Sequence, residues 1–225
     1  MRVLVVGASS SVGREVVRRL LAEHAVLATC WRTPLAPAPS LEVRRLNLEA
    51  SETFQPFIDD LTATFGRPDA AILLSSLLPG KNLADYPETE IERVMAVNFT
   101  AQAMLVRLLM PVMAEHGRFI LMSSVSGVRG SFDPVYAASK AALIGFTRSL
   151  AAWHGDRLRF ACLVPRLIEG SAMYHAMAPE RREHHRRQSS SGRLMTVEQV
   201  AATTVDLLGK SWSDADDPII ELDGG

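Results

Sequence analysis

Apolar runs and helix-spaced apolar residues alternate along this chain from end to end. RVLVVG, residues 2–7, is almost wholly apolar, and residues 11–24 then place Val12, Val16, Val17, Leu20 and Leu21 on one helical face, so a strand running into a helix is predicted. A second apolar run, AVLATCW at 25–31, gives way to RTPLAPAPS, where the prolines impose a loop. LEVRRLNL at 41–48 reads as a third strand, residues 51–66 as a helix with Ser51 as its cap, and DAAILLSS at 69–76 as a fourth strand. Residues 88–116 form a long helical pattern that is apolar on most faces, which points to burial on more than one side and to a subunit contact. RFILMSS at 118–124, a helix over 133–152, LRFACLVP at 158–165, a helix over 196–209 and PIIEL at 218–222 complete the series. Strands that are apolar throughout, alternating with helices, predict an α/β fold: a single doubly wound parallel sheet of about seven strands with helices on both faces.

No internal repeat, linker or change of composition divides the chain, so one domain over residues 1–225 is expected. The outlier is EGSAMYHAMAPERREHHRRQSSSG, residues 169–192, polar and basic between a strand and a helix. A connection that long is usually functional or mobile.

Composition narrows the function without naming it. Of 225 residues, 48% are hydrophobic, enough for a sizeable core. Lys and Arg number 24 against 25 Asp and Glu; a net charge of -1 gives no general attraction to nucleic acid or to an anionic membrane. Cys30 and Cys162 each lie in an apolar run, which argues for a reducing compartment without disulfides, and no metal-ligand spacing accompanies them. The first apolar run is too short for a signal peptide and no later one approaches the ~18 residues of a membrane span, so a cytoplasmic protein is expected.

In VVGASSSVGREVV the first strand meets its helix through Gly7 and Gly13, where backbone N–H groups and a helix N-terminus can hold a pyrophosphate. An ordinary strand-to-helix turn is the alternative, and the position after the first strand favours the phosphate. A carboxylate that would bind a ribose 2′-hydroxyl is missing from the end of the second strand, ATCWRT. Arg32, with Thr33 beside it, could instead meet a 2′-phosphate, so NADP(H) is expected over NAD(H).

Tyr136 and Lys140 stand four residues apart at the start of an alanine-rich helix, one turn apart on one face, and Ser124 precedes Tyr136 by twelve residues. Together with GASSSVG, VMAVNFTAQ, SSVSG, YAASK, LRFACLVPRLIEGSAM and the terminal ELDGG, this pattern resembles the short-chain dehydrogenase/reductase family over nearly the whole chain. The resemblance implies a Rossmann-like fold and a catalytic set of Asn98, Ser124, Tyr136 and Lys140. In that family the tyrosine protonates a carbonyl oxygen while the cofactor delivers hydride to the carbon. A nearby ammonium, from Lys140, is expected to bring the phenol's acidity closer to working pH. Ser124 would hydrogen-bond the developing oxyanion, and Asn98 would position a water relaying protons to Lys140. Cofactor contacts are implied for Gly7, Ser9, Ser10, Ser11, Val12, Gly13, Arg32, Asn47, Leu48, Ser75, Tyr136, Lys140, Pro165, Arg166 and Ile168.

Four departures stand out against the family pattern: Ser11 for a glycine, Ser75-Ser76-Leu77-Leu78 for an Asn-Asn-Ala-Gly stretch, Asn47 for an aspartate and Pro165-Arg166 for Pro-Gly. Arg166 either turns outward or meets an acidic substrate or a cofactor phosphate. By resemblance residues 169–192 form a substrate lid, where Arg181, Arg182, Arg186, Arg187, His184 and His185, with Arg157 elsewhere, attract a phosphopantetheine group or an acidic carrier protein unless they are a solvated helix face. The expectation is an NADPH-dependent ketoreductase, with a 3-oxoacyl thioester on acyl carrier protein as best substrate. The alternatives are a reductase or dehydrogenase of a small free ketone or alcohol, a steroid or a pteridine, and a cofactor-binding scaffold without catalysis. The family commonly assembles through its fourth and fifth helices, so a homo-oligomer, tetramer or dimer, is expected.

Overall fold

The computed structural model describes residues 1–209 and 217–223, so the two glycines that end the ELDGG motif lie outside the described residues. Seven parallel strands make one sheet: β1 (Arg2–Val6), β2 (Ala25–Cys30), β3 (Leu41–Arg45), β4 (Ala70–Leu73), β5 (Arg118–Met122), β6 (Arg159–Pro165) and β7 (Ile219–Leu222), in the order β3-β2-β1-β4-β5-β6-β7. The register pairs Val3 with Val26, Val5 with Ile72, and Leu121 with Cys162. Chain order runs outward from β1 on one side and from β4 on the other, so the crevice between their carboxyl ends is the switch point where such sheets bind ligands.

Alternate side chains of each strand point to opposite faces, and both faces are covered. Leu4, Leu27, Leu73 and Leu121 join a core with α2 (Phe54–Thr64), α4 (Ala101–Leu109) and α6 (Pro134–His154). Val3, Val5, Ile72, Ile120 and Leu163 pack on the other side with α1 (Ser11–Leu20) and α9 (Val197–Gly209). This is the doubly wound, Rossmann-like arrangement that the apolar runs imply.

Boundaries differ where local chemistry intervenes. Ser51 does not cap α2: residues Ser51–Thr53 form a 3-10 turn, and no side chain accepts a bond at the start of that turn or of the helix. The long helix is interrupted, with α3 (Glu88–Met95) passing through one π-helical turn, Ala96–Thr100, into α4. It ends at Leu109, short of the expected residue 116, because Pro111 has no N–H to continue the ladder. A four-residue helix, α5 (Ser126–Arg129), follows β5, and the 169–192 segment folds into α7 (Ala172–Ala176) and α8 (Pro179–Arg187). A parallel bridge between Glu169 and Thr196 closes that excursion at its base.

Candidate active site

The turn from β1 into α1 is built for close backbone approach. Gly7 has φ +80°, and a Cβ there would lie 2.4 Å from Ser75 Oγ; a Cβ on Gly13 would lie 2.7 Å from the Gly7 carbonyl oxygen. Gly7 N–H donates to Thr29 Oγ1, and Ser10 caps α1 by accepting from Gly13 N–H at 3.0 Å, so Ser10 serves the turn itself. Ser9 and Ser11 are half-buried at the mouth of the turn, Val12 is buried beneath it, and the Ser11 hydroxyl makes no hydrogen bond among the described residues. Arg14, which sequence reasoning passed over, ties the turn to the loop after β2 by donating to the carbonyls of Ser9 and Pro34. Arg32 is exposed on that loop and makes no hydrogen bond or ion pair among the described residues. Asn47 folds back to accept from Glu49 N–H, and half-buried Leu48 packs on the core. A phosphate-bearing dinucleotide fits this donor set: a glycine turn without room for a side chain, a helix N-terminus, and a guanidinium where an acid would repel a 2′-phosphate.

Across the crevice, β5 continues past its end as Ser123 N–H donates to Leu163 O and Val125 N–H to Pro165 O, which carries Ser124 to the edge of the cleft. Asp133 caps α6 by accepting from Tyr136 N–H, with Pro134 behind it, and one turn of that helix separates Tyr136 from Lys140. The side chains of Ser124 and Ser76 stand by the Tyr136 hydroxyl and act to lower its pKa. Tyr136 is 5% exposed and Lys140 2%. Lys140 Nζ lies 5.7 Å from the centre of the Tyr136 ring and donates to Met122 O at 2.8 Å, while Ser123 Oγ donates to Lys140 O.

Burial governs both ionisable groups. It raises the Tyr136 phenol above its ordinary value, against the lowering by Ser124 and Ser76, and Asp133 adds to the rise. Burial also brings Lys140 down to about 8, opposed by the field of Cys162. The expectation of a phenol brought closer to working pH is therefore corrected: burial outweighs the pull of Lys140, whose ammonium is itself desolvated and donates to a carbonyl, and Tyr136 holds its proton more firmly than a free phenol.

Asn98 lies in the π turn and is fully buried. Its Oδ1 accepts from Leu77 N–H at 2.7 Å, and its Nδ2 donates to Leu77 O at 2.9 Å and to Ser139 Oγ at 3.0 Å. Its carbonyl oxygen takes a bond from Gln102 Nε2, which also donates to Ser75 O. The side chain thus clamps the strand-like segment after β4 to α6, and does not face Lys140 with a free amide. Arg166 has a destination that the sequence reading did not consider: its Nε donates to Asp223, just past β7, and its side chain is only 8% exposed. Pro165 is buried at the end of β6, and Ile168 packs half-buried on the core beside α9.

The charges of residues 169–192 are in part paired within that segment. Glu183 accepts from Arg186 and Arg187, and Arg182 stacks 4.6 Å over Tyr174 while donating to the carbonyls of Met177 and His175. Arg181 lies 5.0 Å over the Phe132 ring, on the α6 side of the cleft. Burial lowers the pKa of His185, and His184, Arg166 and Arg181 lower it further. Ser76 and Asp133 were missed by motif reasoning; the Asp-Pro pair before Tyr136 was a legible capping signal for the second, whereas Ser76 shows only in the fold.

Comparison with known proteins agrees with this geometry. A family model described as enoyl-(acyl carrier protein) reductase matches residues 7–225. The 3-oxoacyl-acyl-carrier-protein reductase FabG of Escherichia coli is 27% identical over 99% of this chain and 95% of its own. Dehydrogenase RED2 of Cochliobolus heterostrophus is 34% identical over 66% of this chain, and the match spans 58% of that relative's length. A short-chain dehydrogenase of Burkholderia cenocepacia solved in complex with NADP superposes with a TM-score of 0.87 at 22% identity, covering 100% of this chain and 96% of that one, which speaks to the fold. With its seven-stranded sheet, glycine turn and Ser-Tyr-Lys bank, the chain belongs to the short-chain dehydrogenase/reductase family, NAD(P)-binding oxidoreductases acting on CH–OH and C=O groups.

Proposed function

We propose that this chain is an NADPH-dependent reductase of a ketone. The observation that carries the reading is the buried Tyr136, with Lys140 Nζ one helical turn on and 5.7 Å from its ring centre, Ser124 beside its hydroxyl, and the Gly7 turn across the crevice. A bound nicotinamide supplies the hydride, and the chain's own residues do the rest. Tyr136, kept protonated by burial, gives its proton to the carbonyl oxygen as negative charge builds there. Ser124 donates a hydrogen bond to the same oxygen. Lys140, poised near pH 8, stabilises the phenolate left behind. Asn98 contributes by position, fixing Leu77 and Ser139 around the site. Arg32 and the missing carboxylate after β2 support NADP(H) over NAD(H).

For the substrate, a 3-oxoacyl thioester on acyl carrier protein is supported by the nearly full-length similarity to the Escherichia coli reductase. A free apolar ketone is the second reading. Leu78, Leu83, Val128 and Phe132 are exposed on segments around the cleft, and two of the four arginines of α8 share the Glu183 carboxylate. Residues 169–192 act as the lid, with Arg181 on Phe132 as its contact across the cleft. Half-buried Phe99 of the π turn, Met104 and Leu108 of α4, and Phe146 and Leu150 of α6 support a tetramer, which sedimentation at micromolar concentration checks. Free, buried Cys30 and Cys162 suit a reducing cytoplasm.

Titration of NADPH by nicotinamide fluorescence, then turnover of carrier-bound and free ketones in parallel, tests the reading. Tight NADPH binding with carrier-bound turnover supports it as stated, and turnover of free ketones alone moves it to the second substrate. Binding without turnover of any ketone would convert it to a scaffold.

A further inference from the structure

Asp133 belongs to none of the family's motif residues, yet two parts of the cleft meet on it. Its carboxylate is buried, 3% exposed. Oδ1 accepts from Tyr136 N–H at 2.9 Å, and Oδ2 accepts from the N–H groups of Gly80 at 2.9 Å and Lys81 at 3.3 Å. The Tyr86 hydroxyl donates across both oxygens, at 2.8 and 2.7 Å. Ser131 Oγ fixes the Asp133 carbonyl at 2.8 Å. A helix cap needs one acceptor, which Ser, Thr or Asn supplies as well. Here three further donors come from a separate stretch, the one after β4 that begins with Ser75 and Ser76. Burying a carboxylate without its full set of donors is costly, so the arrangement is stable with that stretch docked.

We propose that Asp133 is a positioning residue for the reaction assigned above: it docks residues 76–86 onto the N-terminus of α6 and so fixes Ser76, the cleft wall and the Tyr136 hydroxyl in one arrangement. The proposal rests on the proton-donor reading of Tyr136. The charge of Asp133 also bears on that phenol, which burial raises first, Ser124 and Ser76 lower, and Asp133 raises again. The other groups facing Tyr136 are Lys140 on α6, with Cys162 of β6 near it, and the neutral hydroxyls of Ser124 after β5 and Ser76 after β4. From the lid, Arg181 stacks over Phe132 beside Asp133.

Two variants separate positioning from capping. Asp133→Asn removes the charge and keeps a capping acceptor; the alkaline limb of ketone-dependent NADPH oxidation, where the phenol loses its proton, moves to lower pH. Tyr86→Phe leaves the cap untouched and raises KM for the ketone about tenfold, the worth of one hydrogen bond to a charged group. A phenolate-absorbance titration of wild type and Asp133→Asn, each against its own Tyr136→Phe counterpart, reads Tyr136 without any substrate. A lower Tyr136 midpoint in Asp133→Asn supports the proposal, and it does so even if no ketone is turned over and the reductase reading fails. An unmoved midpoint overturns it, as does a wild-type KM in Tyr86→Phe; a lower Tm alone would mark Asp133 as a helix cap and no more.

Discussion

The N-terminal half of α6 and the helix α8 both carry polar and charged side chains, but they are held in different ways. On α6 and at its cap, Tyr136, Ser139, Lys140 and Asp133 are buried, and each is met by a group from another segment: Ser76 and Ser124, Asn98, Met122 O, and Tyr86. On α8, Glu183 bonds Arg186 and Arg187 of the same helix, Arg186 also reaches Glu169, and all stay partly or largely exposed. Exposed ion pairs of this kind contribute little, whereas a buried polar group that loses its partner costs the full desolvation of what remains. The buried polar groups around α6 are therefore held by partners whose loss is costly, whereas the Glu183 pairs of α8 can be lost at little cost.

Substitutions can break that contrast. Lys140→Met should act in two opposite directions. Reductase turnover falls by about 100-fold or more, because the phenolate loses its cationic neighbour. Stability at neutral pH rises by up to about 3 kcal/mol, less the worth of the lost bond to Met122 O, since a charge held in the fold at a pKa of about 8 against an ordinary 10.5 is removed. The same shift means that the unfolded wild type binds more protons between about pH 8 and 10.5, so wild-type stability gains from this group as pH rises through that window and Lys140→Met loses the gain. Urea unfolding of both proteins at pH 7 and pH 10 checks both signs. Ser124→Ala should lower kcat about 100-fold while leaving NADPH affinity in place, as steady-state kinetics and a fluorescence titration would show.

A smaller effect belongs to the other side of the crevice. Arg32→Glu should cut the preference for NADPH over NADH about 10- to 100-fold in kcat/KM, the worth of a forked phosphate contact and of the repulsion that replaces it. Smallest of all, Glu183→Gln on the lid should leave Tm and turnover of free ketones at wild-type values, because Arg186 and Arg187 remain solvated without it. A large loss there would erase the distinction between the two regions.

What could be read from the residues follows the same division. The sheet was legible because β1, β4, β5 and β6 are buried on both faces and so read as unbroken apolar runs. Tyr136, Lys140 and Ser124 were legible because helical spacing and order along the chain place them together before any contact is known. Interactions between segments distant in sequence left no such trace. Nothing local marks the Arg166–Asp223 pair, the Tyr86–Asp133 contact or the bond from Gln102 Nε2 to Ser75 O, since each depends on which segments the sheet brings together. Ser51 looked like a cap by type, but the chain enters α2 through a tighter turn in which its hydroxyl has no helix N–H to meet.

The central claim is that the Tyr136 hydroxyl is the proton donor, and Tyr136→Phe tests it with the loss of one oxygen from a packed position. In a folded sample that still binds NADPH, ketone-dependent NADPH oxidation should drop about 1,000-fold. Oxidation at the wild-type rate in that variant would contradict the account.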